Sequence, residues 1–195
     1  MRRPLGRLRI IGGEFRSRLI DFDAGDSSGA GVRPTPDRVR QTVFDWLSPI
    51  IEGSTVLDLF AGSGALGLEA ISRGASHASF AETGGAQAEA IRTAVAKLKV
   101  VDRCDVIRGD GIAFLRSTPR RFDLVFVDPP YDSTLLASTL GSLPKVLKEM
   151  NRLYLEWPKG QPPVLPAGYT MLKEKTAGQV SYGLFTYAPP GEPQP

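Results

Sequence analysis

The stretch DLFAGSGALG, residues 58–67, continues the apolar run TVLDLF and carries the spacing Gly62-x-Gly64-x-x-Gly67 before a segment of helical pattern. Such a spacing belongs to a strand-to-helix turn whose backbone comes close to a ligand. Outward from it the same unit repeats. ASFAE (78–82), CDVIRGD (104–110), FDLVFVD (122–128) and LYLEW (153–157) read as strands, with helical patterns near 64–73, near 86–98, just after Asp110 and around 134–150. A closing pair, YTMLKE and VSYGLFTY joined by KTAG, adds an antiparallel edge. The expected fold is α/β: a doubly wound, mostly parallel, seven-stranded Rossmann-like sheet.

Each of the first three strands ends on an acid. Asp58 stands four residues before Gly62, Glu82 eighteen after Gly64, and Asp110 in RGD. Glu82 suits the two hydroxyls of a ribose, and Asp110 the amino group of an adenine. A dinucleotide such as NAD brings a pyrophosphate, which seeks helix N-terminal amides and is repelled by Asp58. S-adenosylmethionine brings an α-ammonium and a sulfonium, which Asp58 attracts. The reading therefore favours S-adenosylmethionine, with Asp58, Gly62, Gly64, Glu82 and Asp110 as its site.

VDPPYDS, residues 127–133, closes the strand FDLVFVD. An exocyclic amine on a nucleobase is a poor nucleophile because its lone pair is delocalised into the ring. The Asp128 carboxylate and the Pro129 carbonyl, accepting its two N–H bonds, would draw the nitrogen toward tetrahedral geometry and release the lone pair. Neither proline carries an N–H to compete, and both stiffen the backbone. Tyr131 is suited to stack on the base.

Composition narrows the remaining classes. With 195 residues the chain suits one domain, and its single cysteine, Cys104, excludes an internal disulfide framework. One histidine, His77, argues against a protein-ligated metal. No stretch reads as a signal peptide or membrane span, so a reducing, cytoplasmic location is expected; a monomer is expected as well. The net charge of +3 is unevenly spread: the first twenty residues sum to +5 and the rest to −2. LRIIGG and FRSRLIDF read as a β-hairpin about a Gly-Gly turn, a ribbon displaying Arg7, Arg9, Arg16 and Arg18 to a polyanion. AGDSSGAG (24–31) reads as a flexible loop, after which Thr35 is the expected N-cap of a helix with Pro36 in its first position. Three regions result: the basic arm 1–31, standing apart from the core, a catalytic domain 32–188, and a disordered tail 189–195.

Taken together, RIIGGEFRSR, RPTPDRVRQTVFDWL, VLDLFAGSGALGLEAISRGA, DLVFVDPPY and KTAGQVSYGLFTY resemble the bacterial 16S rRNA guanine-N2 methyltransferases of the RsmD type over nearly the whole chain. The resemblance implies a class I S-adenosylmethionine-dependent methyltransferase acting on one guanine of small-subunit rRNA. It implies a donor site at Asp58, Gly62, Gly64, Glu82 and Asp110 and a catalytic motif at Asp128, Pro129 and Tyr131. Arg33, Thr35, Arg38 and Arg40 match a segment near the site, and the arginines join the arm as expected RNA contacts. TGGAQ (83–87) departs from the pattern, where a polar or basic residue is expected soon after Glu82. The alternatives are a DNA adenine-N6 methyltransferase and a non-catalytic assembly factor on the same fold.

Overall fold

The computed structural model describes residues 5–24, 34–129 and 133–192. Expectations for Arg33, for Tyr131, for most of the loop 24–31 and for the end of the tail fall outside these residues.

The strands are β1 (Leu5–Arg9), β2 (Leu19–Asp23), β3 (Thr55–Asp58), β4 (His77–Glu82), β5 (Cys104–Arg108), β6 (Phe122–Val127), β7 (Leu147–Pro158), β8 (Tyr169–Ala177) and β9 (Val180–Tyr187). The helices are α1 (Asp37–Leu47), α2 (Ala65–Ser72), α3 (Gly85–Leu98), α4 (Gly111–Ser117) and α5 (Ser133–Ser142). Seven strands form one sheet in the order β5-β4-β3-β6-β7-β9-β8, parallel through β7 and antiparallel at β9 and β8. The chain reverses its direction of growth between β3 and β6, and the ligand crevice of such a sheet opens there, beyond the carboxyl ends of the strands.

The period-2 alternation of the strands sorts the core into two layers. Val56, Leu124, Phe126 and Tyr154 pack on the face covered by α1, α2 and α3. Leu57, Val125, Val127, Leu153 and Leu155 pack on the other face with Leu115 of α4 and Leu140 of α5. Strands buried on both faces explain why these runs are almost continuously apolar.

Three expectations are corrected. Thr35 does not cap α1: Pro36 occupies the cap, and the Thr35 hydroxyl instead donates to Glu156 Oε1 at 3.2 Å. The helical pattern around 134–150 stops at Ser142, passes through a 3₁₀ turn at Leu143–Val146 and becomes β7. Asn151 holds the irregular opening of β7: its Nδ2 donates to the carbonyls of Lys148, Glu149 and Tyr187, and Leu147 and Leu153 both lie inside.

The third correction concerns the arm. β1 and β2 pair as expected, with Leu8 opposite Ile20. Their apolar residues do not stand apart, however, since Leu8, Ile10, Ile20 and Phe22 join the core beside Val43, Phe44 and Leu47 of α1. The Gly-Gly dipeptide is also more than a turn. Residues 11–15 lie on the end of α2, where Glu14 N–H donates to the Ser72 carbonyl at 2.7 Å and Phe15 N–H to Ser72 Oγ at 2.9 Å. Gly13 has φ +76°, and a Cβ there would fall 1.8 Å from the Ser72 carbonyl oxygen, so only glycine permits this backbone contact.

At the other end of the chain Ala188 is buried, and Glu192 N–H closes a turn on the Pro189 carbonyl. Among the described residues no helix is long and apolar enough to cross a membrane.

Candidate active site

The glycine loop leaves β3 at the centre of the sheet. Gly62 and Gly64 hold φ of +51° and +73°, left-handed conformations that favour glycine and turn the chain sharply into α2. Gly67 lies within α2, where a Cβ would come 2.3 Å from the Phe80 ring of β4, so the helix sits closer to the sheet than any side chain would allow. Its N–H donates to Asp58 Oδ2 at 2.9 Å. Burial pushes the Asp58 carboxyl up to about 7, opposed by the Gly67 bond and reinforced by the charge of Glu82.

Glu82, at the end of β4, joins two loops. Its Oε2 accepts from Gly62 N–H and its Oε1 from Gly84 N–H, both at 2.7 Å. Asp110 follows β5 and caps α4, accepting from Ala113 N–H at 2.7 Å. The predicted donor residues are thus brought together at the carboxyl ends of three adjacent strands, β5, β4 and β3. This arrangement suits a cationic nucleoside better than a pyrophosphate. The N–H groups of Gly62 and Gly67, which a phosphate would need, are already given to carboxylates. Carboxylates at these positions suit a positively charged ligand.

Asp128 follows β6, the strand beside β3, and Pro129 after it is buried. Alternation places Asp58, Asp128 and Glu156 on the same face, because each lies two residues beyond Val56, Phe126 or Tyr154. Val127 pairs with Leu155, so Asp128 and Glu156 extend neighbouring strands by one step. Burial, then Glu156, then Asp58 hold the Asp128 carboxyl well above the usual carboxylate range. Burial also raises Glu156, against the bonds that its Oε1 accepts from Tyr154 Oη at 2.6 Å and from Thr35 Oγ1. Sequence reading misses Glu156. The rule that singles out Glu82, an acid at the end of an apolar strand, could have found it in LYLEW.

The chain matches the family model described as Conserved hypothetical protein 95 over residues 8–186. It is 38% identical over 190 residues to ribosomal RNA small subunit methyltransferase D of Escherichia coli K12, covering 96% of this chain and 93% of that protein. The chain belongs to the ribosomal RNA small subunit methyltransferase D family. The Haemophilus influenzae relative of the same name is 38% identical over 185 residues, covering 92% of this chain and 94% of that one. A solved structure described as a putative methyltransferase from Escherichia coli superposes with a TM-score of 0.83 at 38% identity, covering 93% of this chain and 98% of the other. A Thermus thermophilus 16S rRNA N2 G1207 methyltransferase in complex with AdoMet and guanosine has a TM-score of 0.66 at 18% identity, a likeness of fold alone, covering 93% of this chain and 49% of that one.

In this member of the methyltransferase D family the predicted RNA arginines divide. Arg40 is corrected to a structural role. It is 1% exposed, donates to the carbonyls of Thr35 and Arg9 and to Asp37, and lies 3.4 Å from Glu69, which is itself fully buried. Glu69 also accepts from the N–H groups of Ile11 and Gly12 and from Arg73, so one carboxylate joins hairpin, α1 and α2. Arg7, Arg9, Arg16, Arg18 and Arg38 are exposed. Arg7 pairs with Asp21 at 3.0 Å and Arg9 with Asp37 at 3.5 Å, both at the surface. An open cleft of about 300 Å³ lies between hairpin and α1, lined by Arg7, Arg9, Leu19, Thr35 and Pro36 among others, and Thr35 connects it to Glu156. Trp46 packs on Tyr182 and the buried Trp157 on Phe185, while Cys104 is buried at the start of β5.

Proposed function

We propose that this protein transfers the methyl group of S-adenosylmethionine to the exocyclic N2 amine of a guanine in 16S rRNA. The observation that carries the reading is the glycine turn, with Asp58 at its base, set beside Asp128-Pro129 on the adjacent strand β6. The names of the relatives point to small-subunit ribosomal RNA as the substrate class. S-adenosylmethionine provides an electrophilic methyl group on sulfur; the N–C bond forms as the S–C bond breaks, and its electron pair stays on sulfur. Asp58, Glu82 and Asp110 hold the donor's ammonium, ribose and adenine. The Asp128 carboxylate and Pro129 carbonyl accept the two N–H bonds of the amine, and Tyr131 stacks on the base. Once methylated, the cationic nitrogen gives its proton to Asp128, a carboxylate that burial makes unusually basic. Arg7, Arg9, Arg16 and Arg18 of the hairpin, with Arg38 and Arg33, meet phosphates of an rRNA that reaches the site along the cleft between hairpin and α1.

Small ribosomal subunits from cells lacking this enzyme test the reading: incubation with radiolabelled S-adenosylmethionine should yield labelled N2-methylguanosine on nucleoside analysis. Labelled N6-methyladenosine in DNA, or no transfer at all, would overturn it.

A further inference from the structure

Glu156 has no part in the transfer just described, yet its charge acts on Asp128 from the neighbouring strand. It extends β7 one step past the pairing of Val127 with Leu155, on the strand next to Asp128 and on the same face of the sheet. Two elements aim it: Tyr154 of its own strand and Thr35 at the start of α1 both donate to Oε1, at 2.6 and 3.2 Å. Among the described residues no hydrogen bond reaches Oε2. A tie between α1 and β7 would need only an acceptor, and a neutral amide would serve. Burial raises the proton affinity of both carboxyls, and the charge of Glu156 raises that of Asp128 further, which is unfavourable unless a ligand brings donors.

The Watson–Crick edge of guanine places an N1–H donor directly beside the N2 amine, whereas adenine places a bare N1 lone pair beside its N6 amine. With the amine held by Asp128 and Pro129, ring position 1 lies to one side of it, and an acid on the adjacent strand is an acceptor available there. Resting on the function proposed above, we infer that Glu156 accepts the N1–H of the target guanine and is the residue that distinguishes guanine from adenine. A carboxylate facing the adenine lone pair leaves both without a donor, and a site built around a hydrogen bond rejects an analogue lacking it by large factors.

The test needs two substrates and three proteins. Wild-type labelling first locates the methylated guanine, and small subunits carrying adenine at that position form the second substrate. Wild type should prefer guanine by at least a hundredfold in kcat/KM. Glu156→Gln, whose amide can turn a donor toward adenine N1, should narrow that preference at least tenfold and yield labelled N6-methyladenosine. Glu156→Asp keeps the charge but retracts it, and should be slower on both substrates while still favouring guanine. Thermal melting and S-adenosylmethionine affinity of each variant separate loss of discrimination from loss of fold. If folded Glu156→Gln keeps the wild-type preference, or Glu156→Asp loses it, the assignment is wrong. A wild-type protein that labels no small subunit refutes instead the function on which it rests.

Discussion

Asp128 and Asp58 share a face and differ in what their charge does. In the proposed reaction Asp128 meets the amine and not the donor, so Asp128→Ala should lower kcat by at least tenfold and leave S-adenosylmethionine affinity within a few-fold, read by single-turnover transfer and calorimetry. Asp58 titrates near neutrality, and a cation beside it favours its ionised form. Donor affinity should therefore rise from pH 6 to pH 8 with proton release, and Asp58→Asn should weaken binding and flatten that profile in calorimetry. Stability of the free protein should run the other way. A carboxyl raised in the fold contributes stability that is complete below its unfolded value, near 4, and is lost as pH rises through about 7. Asp128 and Glu156 add to this loss, whereas Asp105 and Asp123 are lowered and act only toward more acidic pH. Melting should fall between pH 4 and pH 7, with Asp58 responsible for at most about 1.4 kcal/mol per pH unit, and Asp58→Asn should make the fall shallower.

At the scale of elements, the junction around Glu69 determines how hairpin, α1 and α2 meet. Its carboxylate is fully buried and serves two backbone N–H groups, Arg40 and Arg73. Removing one partner of such a cluster leaves buried charge poorly compensated, at a cost of roughly 3–5 kcal/mol. The remaining partners of Glu69 place Arg40→Ala near the lower end. The variant should melt well below wild type, and its RNA affinity per folded molecule should be unchanged in a filter-binding titration. A large loss of RNA affinity with unaltered melting would return Arg40 to the nucleic-acid surface. The motif RPTPDRVRQTVFDWL shows why the sequence alone misplaces it. Helical spacing aligns Arg40 with Val43, Phe44 and Leu47, but charge argues for the surface, and only the arrival of Glu69 from α2 makes burial tolerable.

For the whole molecule, the same hairpin combines two roles on opposite sides. Leu8, Ile10, Ile20 and Phe22 close the core while Arg7, Arg9, Arg16 and Arg18 face water. Truncation near Gly29 should therefore expose the apolar face of α1 and compromise folding, so it cannot separate RNA binding from stability. Replacing the four exposed arginines together by alanine can. S-adenosylmethionine affinity should persist, while RNA affinity falls and its dependence on salt weakens by roughly 0.7–0.9 in log–log slope for each phosphate that is no longer neutralised. An unchanged slope would move the RNA surface away from the hairpin.

The alternation of strand and helix, the glycine spacing and the acids at strand ends are all legible along the chain, because each is a local pattern: period 2, period 3.6, or a turn only glycine can make. Asp58, Glu82, Asp110 and Asp128 can be read one strand at a time. What pairs residues distant in the chain cannot. Thr35 reads as a cap because its hydroxyl and the following proline suit one, yet its partner, Glu156, lies 121 residues away. Residues 11–15 read as a turn because Gly-Gly makes turns, while their docking depends on Ser72 at the end of α2. Whether an arginine lies at the surface or closes the core, and whether an acid on β7 stands beside Asp128, depends on which strand is neighbour to which. Tertiary structure settles those points, since the order β3-β6-β7 brings together carboxylates whose mutual repulsion and shared burial no single segment contains.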